Sequence, residues 1–531
     1  MEPRIREDLS GFRAEAPCHL PTGAFTLNPK MGKPTVEETG PREPVAPWRV
    51  RTGAVLAPLA FAVVLLTPFE DLQPPAQRLL AIVLAVIVLW ITEAIPMPVT
   101  ALLGVSLAVV LGVAPAREAF APFADPLMFL FVGSFMLARA IFIHGLDRKL
   151  AFGVLSLRWV GERPGRILFA FGAVTAVISA WISNTATTAM MFAIGLSILR
   201  VLQDRDVPGR SISPRFATGL MLMTSFAASI GGLATPIGTP PNLIGLSLIR
   251  EQLGTELPFF AWMLIGVPTV VILFLFLAFY LSILCPAGAG AIVGSREHLL
   301  RQKLELGPLT RGQRSVLLVF GLTTALWVLP GIVAVAWGEG SAAYKSIQRA
   351  LSEGVVSLLG ASLLFMLPGE KGRRALAWEE AVKIEWGVVL LYGGGLALGV
   401  LAHQSGLSDA AGRWFTRHLP LEGGLGLLIA STLTAMLISE TTSNTASANI
   451  VVPVVISVAR AAGVDPLEPA LGATLGASLG FMLPVSTPCN AIVYGSGLIP
   501  LGRMIRYGFL LDVAGVVVIV TVVRMLTPWI R

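Results

Sequence analysis

Charge is what this 531-residue chain has least of: 13% of it is Asp, Glu, Lys or Arg, about half the share found in ordinary soluble proteins. A water-soluble enzyme with a hydrated surface is thereby excluded. Cysteine is scarce, and Cys18, Cys285 and Cys489 lie too far apart for a disulfide framework or a metal-ligand spacing. The five histidines form no His-Glu-x-x-His pair. Neither a phosphate-binding P-loop nor a dinucleotide fingerprint occurs, so ATP-driven pumping within this chain is disfavoured. Period-two alternation in ten-residue segments is missing, which argues against a β-barrel. The net charge of +7 is scattered over short loops without an aromatic-lined basic stripe, and so does not point to nucleic acid.

What fills the chain instead is apolar: 54% of the residues, with a mean hydropathy of +0.76. Apolar runs of about 17 to 25 residues recur from Thr52 to Trp529, the length an α-helix needs to cross roughly 30 Å of hydrocarbon. An all-α polytopic membrane protein is expected. Full crossings are predicted at about 52–69, 76–95, 98–114, 126–157 (long and kinked), 214–251, 260–285, 313–336, 350–367, 386–416, 466–498 and 505–529. Residues 1–50 mix both charges with prolines and hold no apolar run, so they read as a disordered cytoplasmic tail rather than a signal peptide. A polar linker at 286–312 separates a first half, 51–285, from a second, 313–531.

Two further segments, at about 165–200 and 425–460, are each long enough for two short helices and carry Ser-Asn-Thr at the midpoint. Read as re-entrant hairpins, they leave eleven crossings. The positive-inside rule then places the N-terminus in the cytoplasm and the C-terminus outside the cell (inner) membrane. Loops assigned to the cytoplasm by that scheme hold most of the basic residues, among them Arg148, Lys149, Arg158, Arg163 and Arg166.

The two midpoints read Ser183-Asn184-Thr185-Ala186 and Ser443-Asn444-Thr445-Ala446. Downstream of each, in the same order, Thr235-Pro236-Ile237-Gly238-Thr239-Pro240-Pro241-Asn242 aligns with Leu483-Pro484-Val485-Ser486-Thr487-Pro488-Cys489-Asn490. Small residues at four-residue spacing precede each: Thr224, Ala228 and Gly232, then Gly472, Gly476 and Gly480. The ladders read as ordinary close packing of helices in lipid. Crossings two to six and seven to eleven number five each, and an odd number per copy inverts the second copy relative to the first. Inverted repeats with discontinuous helices are the signature of secondary transporters, whose site lies near the midplane at the repeat interface.

Backbone without helical hydrogen bonds is tolerated at membrane depth only where protein or a wet cavity covers it. Pro236, Pro240, Pro241, Pro484 and Pro488 break two otherwise apolar spans, and Gly238 or Ser486 beside each break lets main chain approach a ligand. At the hairpin turns, Asn184, Thr185, Asn444 and Thr445 would stand at helix N-termini, where free N–H groups and the dipole favour an anion. Carbonyls ending the preceding half-helices, with Ser and Asn oxygens, suit a small hard cation such as sodium. Ser and Asn are also common N-caps that need no ligand. No Arg or Lys lies in any of these four segments, so an anion would be held by neutral donors, helix ends and co-bound cations.

Three charges fall within apolar stretches. Arg139 reads as snorkelling or locally paired, Glu93 as a boundary residue before Pro96 and Pro98, and Glu440 as a stabiliser of the second turn. Gly476-Ala477-Ser478-Leu479-Gly480 matches a nucleophile-elbow pattern but falls inside an apolar helix, so no catalytic residue is assigned.

From about residue 52 to the C-terminus the chain resembles the divalent anion:sodium symporter family, the solute carrier 13-like di- and tricarboxylate transporters. The resemblance rests on Thr92-Glu93-Ala94-Ile95-Pro96-Met97-Pro98-Val99-Thr100, both Ser-Asn-Thr motifs, Gly238-Thr239-Pro240-Pro241-Asn242, and the stretch from Phe481 to Gly497. It implies a homodimer whose protomers each pair a scaffold with a mobile transport domain working as an elevator. It implies substrate carboxylates at Asn184, Thr185, Thr239, Pro240, Asn444, Thr445, Thr487 and Pro488. One sodium would sit with Ser179, Ser183, Asn184 and Gly238, and a second with Ser439, Thr442, Asn444 and Ser486. Cys489 departs from the family by replacing a proline, and the N-terminal tail is longer than expected.

The reading is a sodium-coupled importer of C4-dicarboxylates such as succinate, malate or fumarate, with no organic cofactor. Sodium-independent dicarboxylate exchange, or transport of citrate or sulfate, is the rival. An anion channel or an intramembrane enzyme is the alternative of a different class.

Overall fold

In hydrocarbon each backbone N–H and C=O must find its partner within the protein, and the chain meets that demand with helices throughout. The computed structural model describes residues 47–69, 72–203, 213–286, 295–338, 340–370, 372–418 and 423–530. The tail expected over 1–50 lies outside these residues except for its last four, which already begin a helix. Residues 287–294 of the polar linker lie outside them as well.

The chain opens with α1 (Pro47–Leu66), α2 (Pro74–Thr92), α3 (Met97–Val110) and α4 (Ala116–Phe120). A series of seven follows: α5 (Pro126–Ile143), α6 (Leu146–Leu155), α7 (Pro164–Ser179), α8 (Asn184–Gln203), α9 (Pro214–Gly231), α10 (Pro240–Leu253) and α11 (Phe259–Leu284). Then come α12 (Ser295–Glu305), α13 (Arg311–Trp337), α14 (Ala342–Ala350), α15 (Glu353–Met366) and α16 (Trp378–Ala381). A second series repeats the first: α17 (Trp386–Gln404), α18 (Leu407–His418), α19 (Gly424–Thr441), α20 (Asn444–Ala461), α21 (Leu467–Gly476), α22 (Pro488–Tyr494) and α23 (Leu501–Leu526). Each series runs helix, short helix, hairpin, broken helix, helix. Proline stands in the first turn of α2, α5, α7, α9, α10 and α22, where its missing N–H costs nothing.

Among the described residues nine helices are long and apolar enough to span a membrane, and the pair α14–α15, bent by 51°, makes a tenth. The nine include both arms of the second hairpin, α19 and α20. The crossings expected at 98–114, 214–251 and 466–498 are present as α3, α9–α10 and α21–α22, but they are too short or too broken to pass as single long helices. The crossing at 126–157, expected to be kinked, and the one at 386–416, expected without a break, are each a pair of helices. The chain turns at Gly145 (φ 64°) and Gly406 (φ 77°), left-handed positions that end α5 and α17 where glycine alone is unstrained.

The halves of the broken helices dock reciprocally. α22, from the second series, packs on α8 and α9 of the first, whereas α10, from the first, packs on α20 and α21 of the second. Such an exchange is what a two-fold relation between the copies requires. Within each copy the hairpin lies on the broken helix, α7 on α9 and α19 on α21. The lower rungs of the second ladder do serve packing, since a Cβ at Gly476 would stand 2.6 Å from the Thr432 carbonyl oxygen. Outward faces are apolar, as with Val271, Leu275, Phe279 and Ile283 on α11, and suit lipid.

Arg139 is paired, its Nη2 donating to Glu380 Oε2 at 2.7 Å. Lys383 and Arg139 together hold the Glu380 carboxyl below its usual range. Glu93 ends α2 in a left-handed conformation (φ 50°), at the boundary where it was expected.

Asp147, beyond the end of α5 in the first turn of α6, is buried with Oδ1 unpartnered. Burial pushes its carboxyl from 3.8 up to about 6, against the opposing pull of Arg148. The folded chain therefore holds this proton more tightly than the unfolded one. Its contribution is present in full below about pH 4 and is lost as pH rises through about 6, a change of roughly 3 kcal/mol. Asp147→Asn should raise the melting temperature at neutral pH and flatten its fall between about pH 4 and 7, as read by thermal denaturation in detergent.

Candidate functional site

The first hairpin turns between α7 and α8 at residues 180–183, and α8 starts at Asn184. One side-chain position of the Asn184 amide stands 2.7 Å from Ser179 Oγ, 3.1 Å from the Ala228 carbonyl oxygen and 3.3 Å from that of Gly238. Filled by nitrogen, that position donates to all three. Filled by oxygen, it completes a cluster of four oxygens with a single hydroxyl proton among them, which a small hard cation would satisfy. Gly232 allows this arrangement, because a Cβ there would stand 2.4 Å from the Asn184 side chain.

The second copy repeats the construction. Ser443 caps α20 by accepting from the Ala446 amide at 3.2 Å, which leaves Asn444 and Thr445 in the first turn. Ser439 Oγ, with one proton to give, stands 2.8 Å from both Asn444 Oδ1 and the Ala477 carbonyl oxygen. Gly480, the counterpart of Gly232, sits beside Ser439, Asn444 and Ser486. The top rung of each ladder thus supports an asparagine rather than a neighbouring helix.

Unwound backbone in each broken helix is tied down by the asparagine that closes the Thr-Pro motif. Asn242 Nδ2 donates to the carbonyls of Gly232 (2.9 Å) and Thr235 (2.8 Å), and Asn490 Nδ2 to those of Gly480 (2.9 Å) and Leu483 (3.0 Å). These are corresponding atoms in the two copies. Asn490 Oδ1 also accepts from Ser225 Oγ at 2.5 Å, joining the second broken helix to the first, whereas Asn242 Oδ1 is buried without a partner. Phe226 and Phe481 add an edge-on ring contact across the same boundary, with centroids 5.2 Å apart. Cys489 is buried, with its thiol facing Thr185, Thr188 and Ser229, so the start of α22 meets the start of α8.

Thr239 and Thr487 precede α10 and α22 in extended conformation, and both are buried. Thr487 Oγ1 accepts from the Asn490 amide at 3.1 Å, and Thr239 makes no capping bond. Pro240 is half-buried and Pro488 exposed, each in the first turn of its helix. Asn184, Thr185, Asn444 and Thr445 are all half-buried, presenting four helix-start side chains at the two turns.

Of the eight residues expected around cations, Ser179, Asn184 and Gly238 converge in one copy and Ser439, Asn444 and Ser486 around Gly480 in the other. Ser183 Oγ instead donates to Glu385 Oε1 at 3.1 Å, and Thr442 Oγ1 bonds back to the Ile438 carbonyl at 2.8 Å. Glu440, buried beside Ser439, accepts from the amides of Met482 (2.8 Å) and Leu483 (3.1 Å), so it holds the second loop and not the hairpin turn alone. The site residues that sequence reasoning passed over are Gly232, Gly480, Asn242 and Asn490. Their identity in both copies was the available signal.

Residues 50–530 match the family described as the sodium:sulfate symporter transmembrane region. The chain belongs to that family. It is 35% identical over 487 residues to the sodium-dependent dicarboxylate transporter SdcS of Staphylococcus saprophyticus, covering 90% of this chain and 91% of that one. It is 33% identical over the same length to SdcS of Staphylococcus aureus strain MRSA252, with equal coverage. Its fold is similar to the crystal structure of the YdaH transporter of Alcanivorax borkumensis, at a TM-score of 0.52 and 15% identity, covering 91% of this chain and 98% of the other. A member of this symporter family is a multi-pass membrane transporter and not an enzyme. The segment from Gly476 to Gly480 is accordingly a packing and support element.

The two copies differ in how much room their supporting glycines leave. A Cβ at Gly480 would meet Ser439, Asn444 and Ser486 at 3.3 to 3.5 Å, close to ordinary contact. Gly232→Ala should therefore displace Asn184 and reduce uptake at least about tenfold, whereas Gly480→Ala should stay within about threefold of wild type, steric cost being steep only at the first. Initial rates in proteoliposomes carrying equal amounts of folded protein check this.

Proposed function

We propose that this chain is a sodium-coupled secondary transporter that imports C4-dicarboxylates such as succinate, malate or fumarate. The observation that carries the reading is the paired asparagine construction, in which one amide serves both an oxygen cluster and an exposed helix start. A sodium ion in the first cluster would be held by Ser179, Asn184 and Gly238, with Ser183 contributing main chain, since its hydroxyl is engaged by Glu385. In the second, Ser439, Thr442, Asn444 and Ser486 take the same part. Oxygen ligands and small cavities suit a hard monovalent cation.

Coupling follows from the geometry of an amide. When Oδ1 of Asn184 or Asn444 turns toward a cation, Nδ2 turns the other way and offers two donors at the helix start. With no cation, the inward acceptors around Asn184 draw its Nδ2 in and leave an acceptor facing an incoming carboxylate, whereas Asn444 keeps Oδ1 inward through Ser439. A sodium at the first cluster thus converts a repelling site into an attracting one. Asn184, Thr185, Thr487 and Pro488 would surround one carboxylate, and Asn444, Thr445, Thr239 and Pro240 the other. The proximity of Cys489 to Thr185 and the packing of α10 on α20 support that division. Two separated carboxylates fit two copies of the site better than compact sulfate does. The relatives named SdcS support sodium dependence and the dicarboxylate class.

Elevator motion of the hairpins and broken helices against the remaining helices, in a homodimer, belongs to the same proposal. So do an inner-membrane location, a cytoplasmic N-terminus and an external C-terminus.

Uptake of labelled succinate into proteoliposomes should rise several-fold on imposing an inward sodium gradient. Uptake indifferent to sodium but dependent on internal dicarboxylate would identify an exchanger and overturn symport. Asn184→Ala and Asn444→Ala should each lower uptake by about a hundredfold while eluting as folded protein, since each removes both a cation ligand and a carboxylate donor. Uptake near the wild-type rate in either variant would remove that asparagine from the site.

A further inference from the structure

The two copies share an order of elements but differ in what the starts of four helices hold. Asp125 stands immediately before α5 and Glu385 immediately before α17, 260 positions apart, the offset that also relates Ser183 to Ser443. One crossing earlier in each copy are α3 and α15, of 14 residues each, whose first residues are Met97 and Glu353. These starts meet in pairs. A Cβ at Gly387 would stand 3.2 Å from the Pro98 ring, and one at Gly354 would stand 2.3 Å from the Pro126 carbonyl oxygen. Glu385 and Met97 thus form one docking place, and Asp125 and Glu353 form its counterpart in the other copy.

Both hairpin turns rest at the first place. Ser183 Oγ donates to Glu385 Oε1 at 3.1 Å, and Ser443 Oγ to Met97 Sδ at 3.3 Å. The second place is filled differently. Asp125 is buried, accepts from the Leu127 amide and the Tyr392 hydroxyl, both at 2.8 Å, and pairs with Arg250 in the last turn of α10. Glu353 accepts from the Phe259 amide at 2.6 Å. Tyr392, held by Asp125, lies seven residues beyond Glu385, so roughly 10 Å of α17 separates the two places.

Alternating access in inverted repeats moves one bundle against the other around a fixed site. Where the copies hold unequal contacts, exchanging those contacts gives a second arrangement built from the same kinds of surface. The exchange sends Ser443 to Asp125 and Ser183 to Glu353. Arg250 must then leave Asp125, and it can, because α10 belongs to a broken helix and travels with the turns. A buried carboxylate stripped of its partner is costly, but Asp125 keeps two donors and gains the Ser443 hydroxyl as a third. The residue matching Arg250 through the two Thr-Pro motifs is Leu498, which offers Glu385 no charge after the exchange. The observed arrangement therefore carries an ion pair that its counterpart lacks.

We propose that Asp125 and Glu353 are the second resting place of the hairpin turns, Ser443 docking on Asp125 and Ser183 on Glu353 in the alternate state, and that the Arg250–Asp125 ion pair is the latch that opens to reach it. This docking presupposes the moving hairpins proposed above and adds where they stop. Asp125, Arg250 and Glu353 act as positioning residues.

Cysteine pairs in membranes test the docking whatever solute is carried. Ser443→Cys with Asp125→Cys, and Ser183→Cys with Glu353→Cys, should each cross-link under mild oxidation at least about fivefold above the single-cysteine variants. Asp125→Asn keeps an acceptor at the cap of α5 but loses the ion pair, so combined with the Ser183 and Glu353 pair it should raise that yield several-fold. Failure of both pairs to close, or a yield that Asp125→Asn does not raise, overturns the proposal. The pair at Ser183 and Glu353 leaves Asp125 and Arg250 intact and holds the test open if a change at Asp125 unfolds the protein. A separate lock distinguishes failure of the docking from failure of the wider reading. Asp125→Cys joined to Arg250→Cys by a short, reducible thiol cross-linker should lower succinate uptake about tenfold or more until reduced. A lock that stops uptake while neither pair closes leaves the moving hairpins standing and sinks the docking places, whereas a lock without effect removes both. Wild-type uptake of succinate measured alongside shows whether the solute class is at fault instead.

Discussion

Unwound main chain in the middle of a membrane protein survives only if each freed carbonyl and amide is claimed by another group. Here that work falls on two asparagines, Asn242 and Asn490, which reach back across ten residues to bind a carbonyl of each unwound stretch, that of Gly232 and that of Gly480. Everything at the site presupposes this closure. Without it Gly238 and Ser486 would not be presented to the hairpin turns, and α10 and α22 would not begin where Thr239 and Thr487 can face a ligand. The serine and asparagine of each turn then complete a set of oxygens around the exposed main chain.

The absence of Lys and Arg from all four segments gives the arrangement its character. A fixed cation at this depth would bind an anion strongly in every state and would resist crossing the membrane unpaired. Neutral amides, hydroxyls and helix starts attract an anion only weakly, so on the proposed reading a mobile ion supplies the rest. The copies are similar without being equivalent. Asn490 is anchored to Ser225 and its loop is held by Glu440, whereas Asn242 keeps a buried oxygen unpartnered and Gly232 is pressed tightly against Asn184.

Much of this was legible because a repeated motif in an apolar chain stands out against its surroundings. The two Ser-Asn-Thr turns, the two Thr-Pro breaks and the helical nature of every span follow from residues whose polarity has no other explanation at that depth. The length of 126–157 called for a kink, but neither its place at Gly145 nor the break at Gly406 stood out, because one glycine among 54 does not announce a positive φ. The expected crossing 386–416 was drawn as a single helix for that reason. The ladders hid their purpose too: lower rungs pack helices and the top rung supports a side chain, a distinction that spacing does not carry.

The reciprocal docking of α10 and α22 bears on how such a molecule is made. α10 emerges from the ribosome roughly 190 residues before the hairpin arm it rests on, an interval of roughly 10 to 40 s at ordinary rates of synthesis. For that time a short, proline-started helix with buried-type polar groups sits in the bilayer without its groove. Insertion machinery or neighbouring helices must shelter it, and the first half cannot mature ahead of the second. Biogenesis is thus a single late event, completed when the last third of the chain arrives to receive what the first half has been holding.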